Sequence, residues 1–154
     1  MIVDSLLIGK FSCDIFNYKH YLRNKKSEML ESLIGKIDFN YKINLYEPKQ
    51  YDERTSTRQI TQNYIGMKAM CLFNSIICDT LDELQKDDKA LCRICVAGIV
   101  ASDGRNISLK DLKQTKKHYD SWLNETRGMN LDSKRLVWVN SYKPYIDSNF
   151  IKLW

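Results

Sequence analysis

Residues 58–84 read RQITQNYIGMKAMCLFNSIICDTLDEL, from Arg58 to Leu84. The middle of this stretch, Ile65 to Cys78, is apolar almost all the way round and is broken only by Lys68, Asn74 and Ser75. A segment of that kind is usually a helix covered on several sides by its own domain. The stretch therefore predicts a long buried central helix over about 58–84, with Thr55, Ser56 and Thr57 as candidate N-caps. It is too short, and too interrupted by polar residues, to span a bilayer, so no transmembrane segment is expected.

The flanks extend this reading. Upstream, residues 5–18 place Leu7, Gly9, Phe11, Cys13 and Ile15 at period two, as in a half-buried strand. Met29, Leu30, Leu33, Ile34 and Ile37 then recur at helical spacing, predicting a helix from about Ser27 to Ile37 with Ser27 as N-cap. Residues 38–46 alternate Phe39, Tyr41, Ile43 and Leu45 with polar residues, the cleanest strand pattern in the chain.

Downstream, residues 90–101 (ALCRICVAGIVA) suit either a helix or a buried strand, and the frequent alanine favours the helix. Ser108, with Asp111 three residues on, resembles a capping box that opens a further helix. Leu109, Leu112, Tyr119, Trp122 and Leu123 form its apolar stripe, and Gly128 supplies its C-terminal stop. Leu136–Val139 and Phe150–Trp154 read as strands either side of Pro144. The expected fold class is α+β: one domain over 1–154, a long central helix, two to three further helices, and a small sheet built from N- and C-terminal strands.

Composition sets outer bounds on function. The 154 residues are 44% hydrophobic and 28% charged, with only 6 Gly and 2 Pro, which suits a folded domain without long linkers. The net charge of +5 comes from 24 Lys+Arg against 19 Asp+Glu and permits an anionic partner without demanding one. Low Ala and Gly with high Lys, Asn, Ile and Tyr is the bias of an AT-rich genome, shared by phages, some large or RNA viruses and many bacteria. The N-terminus lacks the charged and apolar blocks of a signal peptide. Five cysteines, an odd number, suit reduced and mostly buried thiols. The expected location is cytoplasmic, host-intracellular if the chain is viral.

Motifs that would specify chemistry are weak. Cys92-Arg93-Ile94-Cys95 is a CxxC, but no strand signal precedes it and no second ligand pair stands at zinc spacing. Residues 102–111 (SDGRNISLKD) resemble a calcium loop only until Val100 and Arg105 are placed where oxygen ligands belong. There is no GxSxG, P-loop or GxGxxG. No metal site and no cofactor is expected.

The strongest functional signal is basic and aromatic. Residues 18–26 (YKHYLRNKK) contain Lys19, Tyr21, Arg23, Lys25 and Lys26 and no acid. Lysines contact phosphates and release counterions, and tyrosines beside them stack on unpaired bases. A second set, Lys110, Lys113, Lys116 and Lys117, lies on the helix that starts at Ser108. These residues predict a non-enzymatic binding module for RNA, DNA or another anionic partner, with Lys19, Tyr21, Arg23, Lys25, Lys26, Lys113, Lys116 and Lys117 as contacts. Two alternatives stand beside it. One is a self-assembling or protein-binding viral accessory or matrix-type protein, using Phe150 to Trp154 as a free edge. The other is a small metal-independent ribonuclease with His20 or His118 as proton acceptor, each otherwise a solvated surface side chain.

Overall fold

The computed structural model describes residues 26–46, 60–78, 99–101 and 106–153. In chain order these form α1 (Lys26–Ile34), β1 (Lys42–Tyr46), β2 (Ile60–Tyr64), α2 (Ile65–Ile77), β3 (Ile99–Ala101), α3 (Leu109–Glu125), α4 (Leu131–Val137), a π-helical turn (Trp138–Tyr142), α5 (Lys143–Asn149) and β4 (Ile151–Leu153). α4, the π turn and α5 follow one another without a gap, so the described residues are mainly helical.

The α+β expectation is overturned. Among the described residues, extended segments form two separate two-stranded antiparallel ladders, β1–β2 and β3–β4. Among the described residues no sheet joins N- and C-terminal strands, and the buried hydrophobic side chains come almost wholly from helices. β4 pairs with Ile99–Ala101; the N-terminal strand expected over 5–18 lies outside the described residues. Leu136–Val139, expected as a strand, belongs to the helical run. Residues 99–101, the described end of the stretch read as helical, are a strand.

The central helix is real but shorter than the sequence suggested. It begins at Ile65, because Ile60–Tyr64 pairs with Lys42–Tyr46 in register Lys42↔Tyr64 through Tyr46↔Ile60. The β-branched and aromatic residues of ITQNY favour extended backbone once a partner strand is present. The first amides of a helix have no partner within it. Here Tyr64, at the N-cap, makes no side-chain cap, and the Ile65 N–H instead donates to the Tyr41 carbonyl at 2.8 Å. The hairpin thus supplies the cap that a serine or threonine would otherwise provide.

α1 carries its expected stripe: Met29, Leu30, Leu33, Ile34 and, in the following turn, Ile37 are all buried. Ser27, expected as N-cap, lies inside the helix. Gly35 N–H donates to Glu31 O, and tighter bonds from Lys36 and Ile37 turn the chain out of the helix. Phe39 and Tyr41, expected to face inward, are 44% and 54% exposed. Lys36 Nζ lies 4.5 Å from the Phe39 ring centroid.

The turn after α1 presses directly on α2. A Cβ at Gly66 would lie 1.8 Å from the Ile37 carbonyl oxygen and 2.6 Å from its carbon. Only glycine permits that backbone approach.

α3 is the most fully specified element. Its capping box is complete: Asp111 N–H donates to Ser108 Oγ at 3.3 Å, and Ser108 N–H donates to Asp111 Oδ2 at 2.7 Å. Leu112, Thr115, Tyr119 and Trp122 are buried along one side, with the Thr115 hydroxyl bonded to the Asp111 carbonyl at 2.7 Å. After Thr126 the chain reverses through Gly128 at φ 80°, a left-handed conformation natural to glycine. Asn130 then caps α4 by accepting from Ser133 N–H at 2.8 Å.

The π turn rephases the last helical run. Lys143 N–H reaches back to Trp138 O, an i→i+5 bond. Trp138 and Ile146 are both fully buried. In an uninterrupted α-helix, residues eight apart lie about 80° from each other. The extra residue in the π turn removes most of that offset and keeps both on the core side.

At the centre, Phe73 of α2 is enclosed edge-on by Tyr119 (4.9 Å), Trp122 (5.2 Å) and Trp138 (4.7 Å). Trp122 Nε1–H donates to Lys134 O at 3.1 Å. Arg135 Nε–H donates to the Ile77 carbonyl at 2.5 Å, so a cation from α4 closes the C-terminus of α2. Tyr119 Oη and Trp138 Nε1 are buried and have no hydrogen-bond partner among the described residues.

Two outcomes follow for equilibrium urea unfolding. Gly66→Ala should cost about 3 kcal/mol, since the new methyl meets fixed backbone; an unchanged midpoint would contradict the close approach. Tyr119→Phe removes an unbonded buried hydroxyl while keeping the ring, so stability should be unchanged or rise by about 1 kcal/mol. A large loss would show that the hydroxyl has a partner.

Candidate nucleic-acid interface

The residues singled out in the sequence fall into two groups. Lys19, Tyr21, Arg23 and Lys25 lie outside the described residues. Lys26 is the first residue of α1 and is half-buried, and α1 packs against α3. Lys113 and Lys117 are exposed on α3. Lys116 is mostly covered and forms a 2.8 Å ion pair with Asp120, one turn on. It lies about 60° from Lys113 and about 100° from Lys117 around the helix, towards the buried side.

The helical period sorts the α3 lysines. Lys110, Lys113 and Lys117 fall within an arc of about 60°, and all three are exposed. Gln114, Ser121 and Asn124 share that stripe, which is free of carboxylates. The nearby acids are engaged elsewhere. Asp111 is buried in the capping box, Asp120 pairs with Lys116, and Glu125 accepts from the Tyr142 hydroxyl. The capping box takes up the Ser108 and Asp111 amides and places a carboxylate at the start of α3, which opposes anion binding at that end and leaves the lysine side chains as the attracting groups.

An aromatic cluster borders the stripe. His118, next to Lys117, is half-buried, with its ring centroid 5.0 Å from Tyr145 and 4.8 Å from Phe150. Tyr145 and Phe150 are 6.0 Å apart. His118 is therefore a packed ring and not the solvated side chain expected for it. Tyr145 itself is 50% exposed. Tyr142, just before the helix that carries it, donates to Glu125 at the end of α3, and within α5 Lys143 pairs with Asp147 at 2.5 Å. No local pattern in the sequence joins His118 to Tyr145 and Phe150, because they meet only when α5 docks beside α3. The cluster could have been suspected only from the aromatic content of the C-terminal region.

Other candidate chemistry finds little support here. His20, Cys92 and Cys95 lie outside the described residues. Cys71 and Cys78 are half-buried thiols outside any disulfide, with Cys78 Sγ 3.5 Å from Asn74 Oδ1. Among the described residues no group of three or more His, Cys, Asp or Glu could hold a metal ion. No described helix is long and apolar enough to cross a membrane. Phe150 packs on His118 and Ile151 is fully buried, so the start of the C-terminal segment is part of the body. Comparison with protein-family models, curated proteins and solved structures finds no match to the chain.

Two tyrosines ionise abnormally. Burial pushes the Tyr119 hydroxyl well above its ordinary 10.0, and Cys71, Asp147 and Cys78 add to the shift. Partial burial, and then the hydrogen bond to Glu125, push Tyr142 up to about 12. A raised tyrosine pKa favours the neutral, folded form. The Tyr142 contribution is thus fully present below the unfolded value of 10.0 and is lost as pH rises towards about 12. In an alkaline absorbance titration, Tyr142→Phe should remove one late-ionising tyrosine and leave the others in place. Removal of an ordinary one instead would contradict the bond to Glu125.

Proposed function

We propose that this protein is a non-enzymatic binding module that engages nucleic acid through the exposed lysine stripe of α3. The observation that carries this reading is the alignment of Lys110, Lys113 and Lys117 on one face of a 17-residue helix, with no carboxylate in the stripe. Along the helix axis these lysines span about 10 Å. That row can follow a phosphate backbone, and binding would release the counterions condensed on it. The rigid helix presents the charges without a large ordering cost. Lys26 at the start of α1, on a neighbouring helix, is a candidate to extend the surface, and Lys19, Tyr21, Arg23 and Lys25 just before it in sequence belong to the same proposal. The reduced thiols of Cys71 and Cys78 suit an intracellular setting.

The ribonuclease reading has less support, since His118 is held among aromatic rings. The assembly reading loses part of its expected edge, since Phe150 and Ile151 are turned into the body.

Fluorescence anisotropy with a labelled single-stranded oligonucleotide tests the proposal. Three lysine–phosphate contacts predict a log–log salt slope of about −2, or about fifteen-fold weaker binding between 50 and 200 mM salt. Lys113→Glu with Lys117→Glu should weaken binding at low salt by about ten-fold or more. Undetectable binding by the wild type, or affinity indifferent to this double substitution, would overturn the reading.

A further inference from the structure

The charged stripe explains attraction to any polyanion; the rings beside it point to a more selective ligand. Tyr145 keeps half of its surface in water although two aromatic rings lie within 5.0 and 6.0 Å of it. Neither neighbour covers it in a parallel stack: the His118 plane is inclined by 43° and the Phe150 plane by 58°. His118 and Phe150, themselves 4.8 Å apart, support Tyr145 from the protein side. The result is a fixed aromatic ring that is only partly covered.

Its position matters as much as its exposure. His118 directly follows Lys117 in α3 and stands about 100° from it around the helix, so the platform flanks the stripe. Gln114 is exposed, one turn before both, and lies in angle between them. A chain whose phosphates run along Lys110, Lys113 and Lys117 would carry its bases to one side of that row. Duplex nucleic acid hides the faces of its bases in its own stack, whereas a single strand can offer them. Free phosphate, polyphosphate and an acidic protein surface have the charge but no base to stack.

We infer that Tyr145, backed by His118 and Phe150, is a stacking platform for an unpaired base of a single-stranded nucleic acid whose phosphates lie along Lys110, Lys113 and Lys117. The inference rests on the proposed function and adds the strand state of the ligand. Stacking on one ring has little sequence preference, because every base has a π face. The interface is therefore selective for unpaired bases and tolerant of sequence.

The test compares three fluorescein-labelled probes of equal length: an oligouridine, the same sugar–phosphate strand without bases, and a duplex. Wild-type protein should bind oligouridine about ten-fold more tightly than the abasic strand. Tyr145→Ala should reduce oligouridine affinity to the abasic level, and Tyr145→Phe should retain most of it. Lys113→Glu with Lys117→Glu should weaken all three probes. Titration of the wild type with oligouridine, followed by NMR, should shift the Tyr145 ring protons and move the uracil H5 and H6 resonances upfield, a readout that needs no variant. Equal wild-type affinity for oligouridine and the abasic strand, or uracil resonances that do not move, would overturn the platform while leaving the lysine reading intact. Failure to bind any probe would overturn both.

Discussion

The ring of Phe73 is the contact on which the described structure depends. It projects from α2 and meets Tyr119 and Trp122 of α3 and Trp138 of the π turn, each edge-on or nearly so. Aromatic rings attract in this arrangement because the positive edge of one faces the negative face of another. Three helical segments far apart in sequence are thereby held around one side chain. Trp138 reaches that position together with Ile146 because the π turn shifts the phase of the last helical run. Without that shift the two side chains would stand about 80° apart around the helix.

A second constraint acts through backbone. Gly66 lets the Ile37 carbonyl approach the first turn of α2 more closely than any side chain would allow. The Ile65 amide is satisfied by the Tyr41 carbonyl, so the hairpin and the helix start form one hydrogen-bonded unit. At the other end of α2, Arg135 bonds the Ile77 carbonyl and ties α4 to it. α2 is thus capped at both ends by residues outside itself, consistent with a segment that has few polar side chains of its own.

The proposed interface inherits its geometry from this core. Burying Leu112, Tyr119 and Trp122 on one side of α3 leaves Lys110, Lys113 and Lys117 on the other. Docking α5 beside α3 brings Tyr145 and Phe150 to His118. The lysine stripe was legible in the sequence because helix spacing and a capping box are local signals. Lys116 could not be separated from its neighbours until its ion pair with Asp120 appeared. The aromatic platform had no local signal at all, and His118 read alone passed for an ordinary surface histidine.

The sequence by itself determined the elements whose causes lie within a few residues: the apolar stripe of α1, the Ser108–Asp111 capping box, the buried face of α3, the turn at Gly128 and the apolar centre of α2. Tertiary structure decided where partners distant in the chain compete with local preference. Ile60–Tyr64 left the predicted helix because β1 offers it a ladder. Leu136–Val139, whose β-branched and aromatic content suits a strand, became helical as part of a run that buries Trp138 against Phe73. The α+β reading failed for the same reason. Alternation of apolar and polar residues reports that a segment can be extended, but a sheet forms only where other strands lie alongside to complete the hydrogen bonds. Here each described strand has one partner, and packing between helices supplies the core.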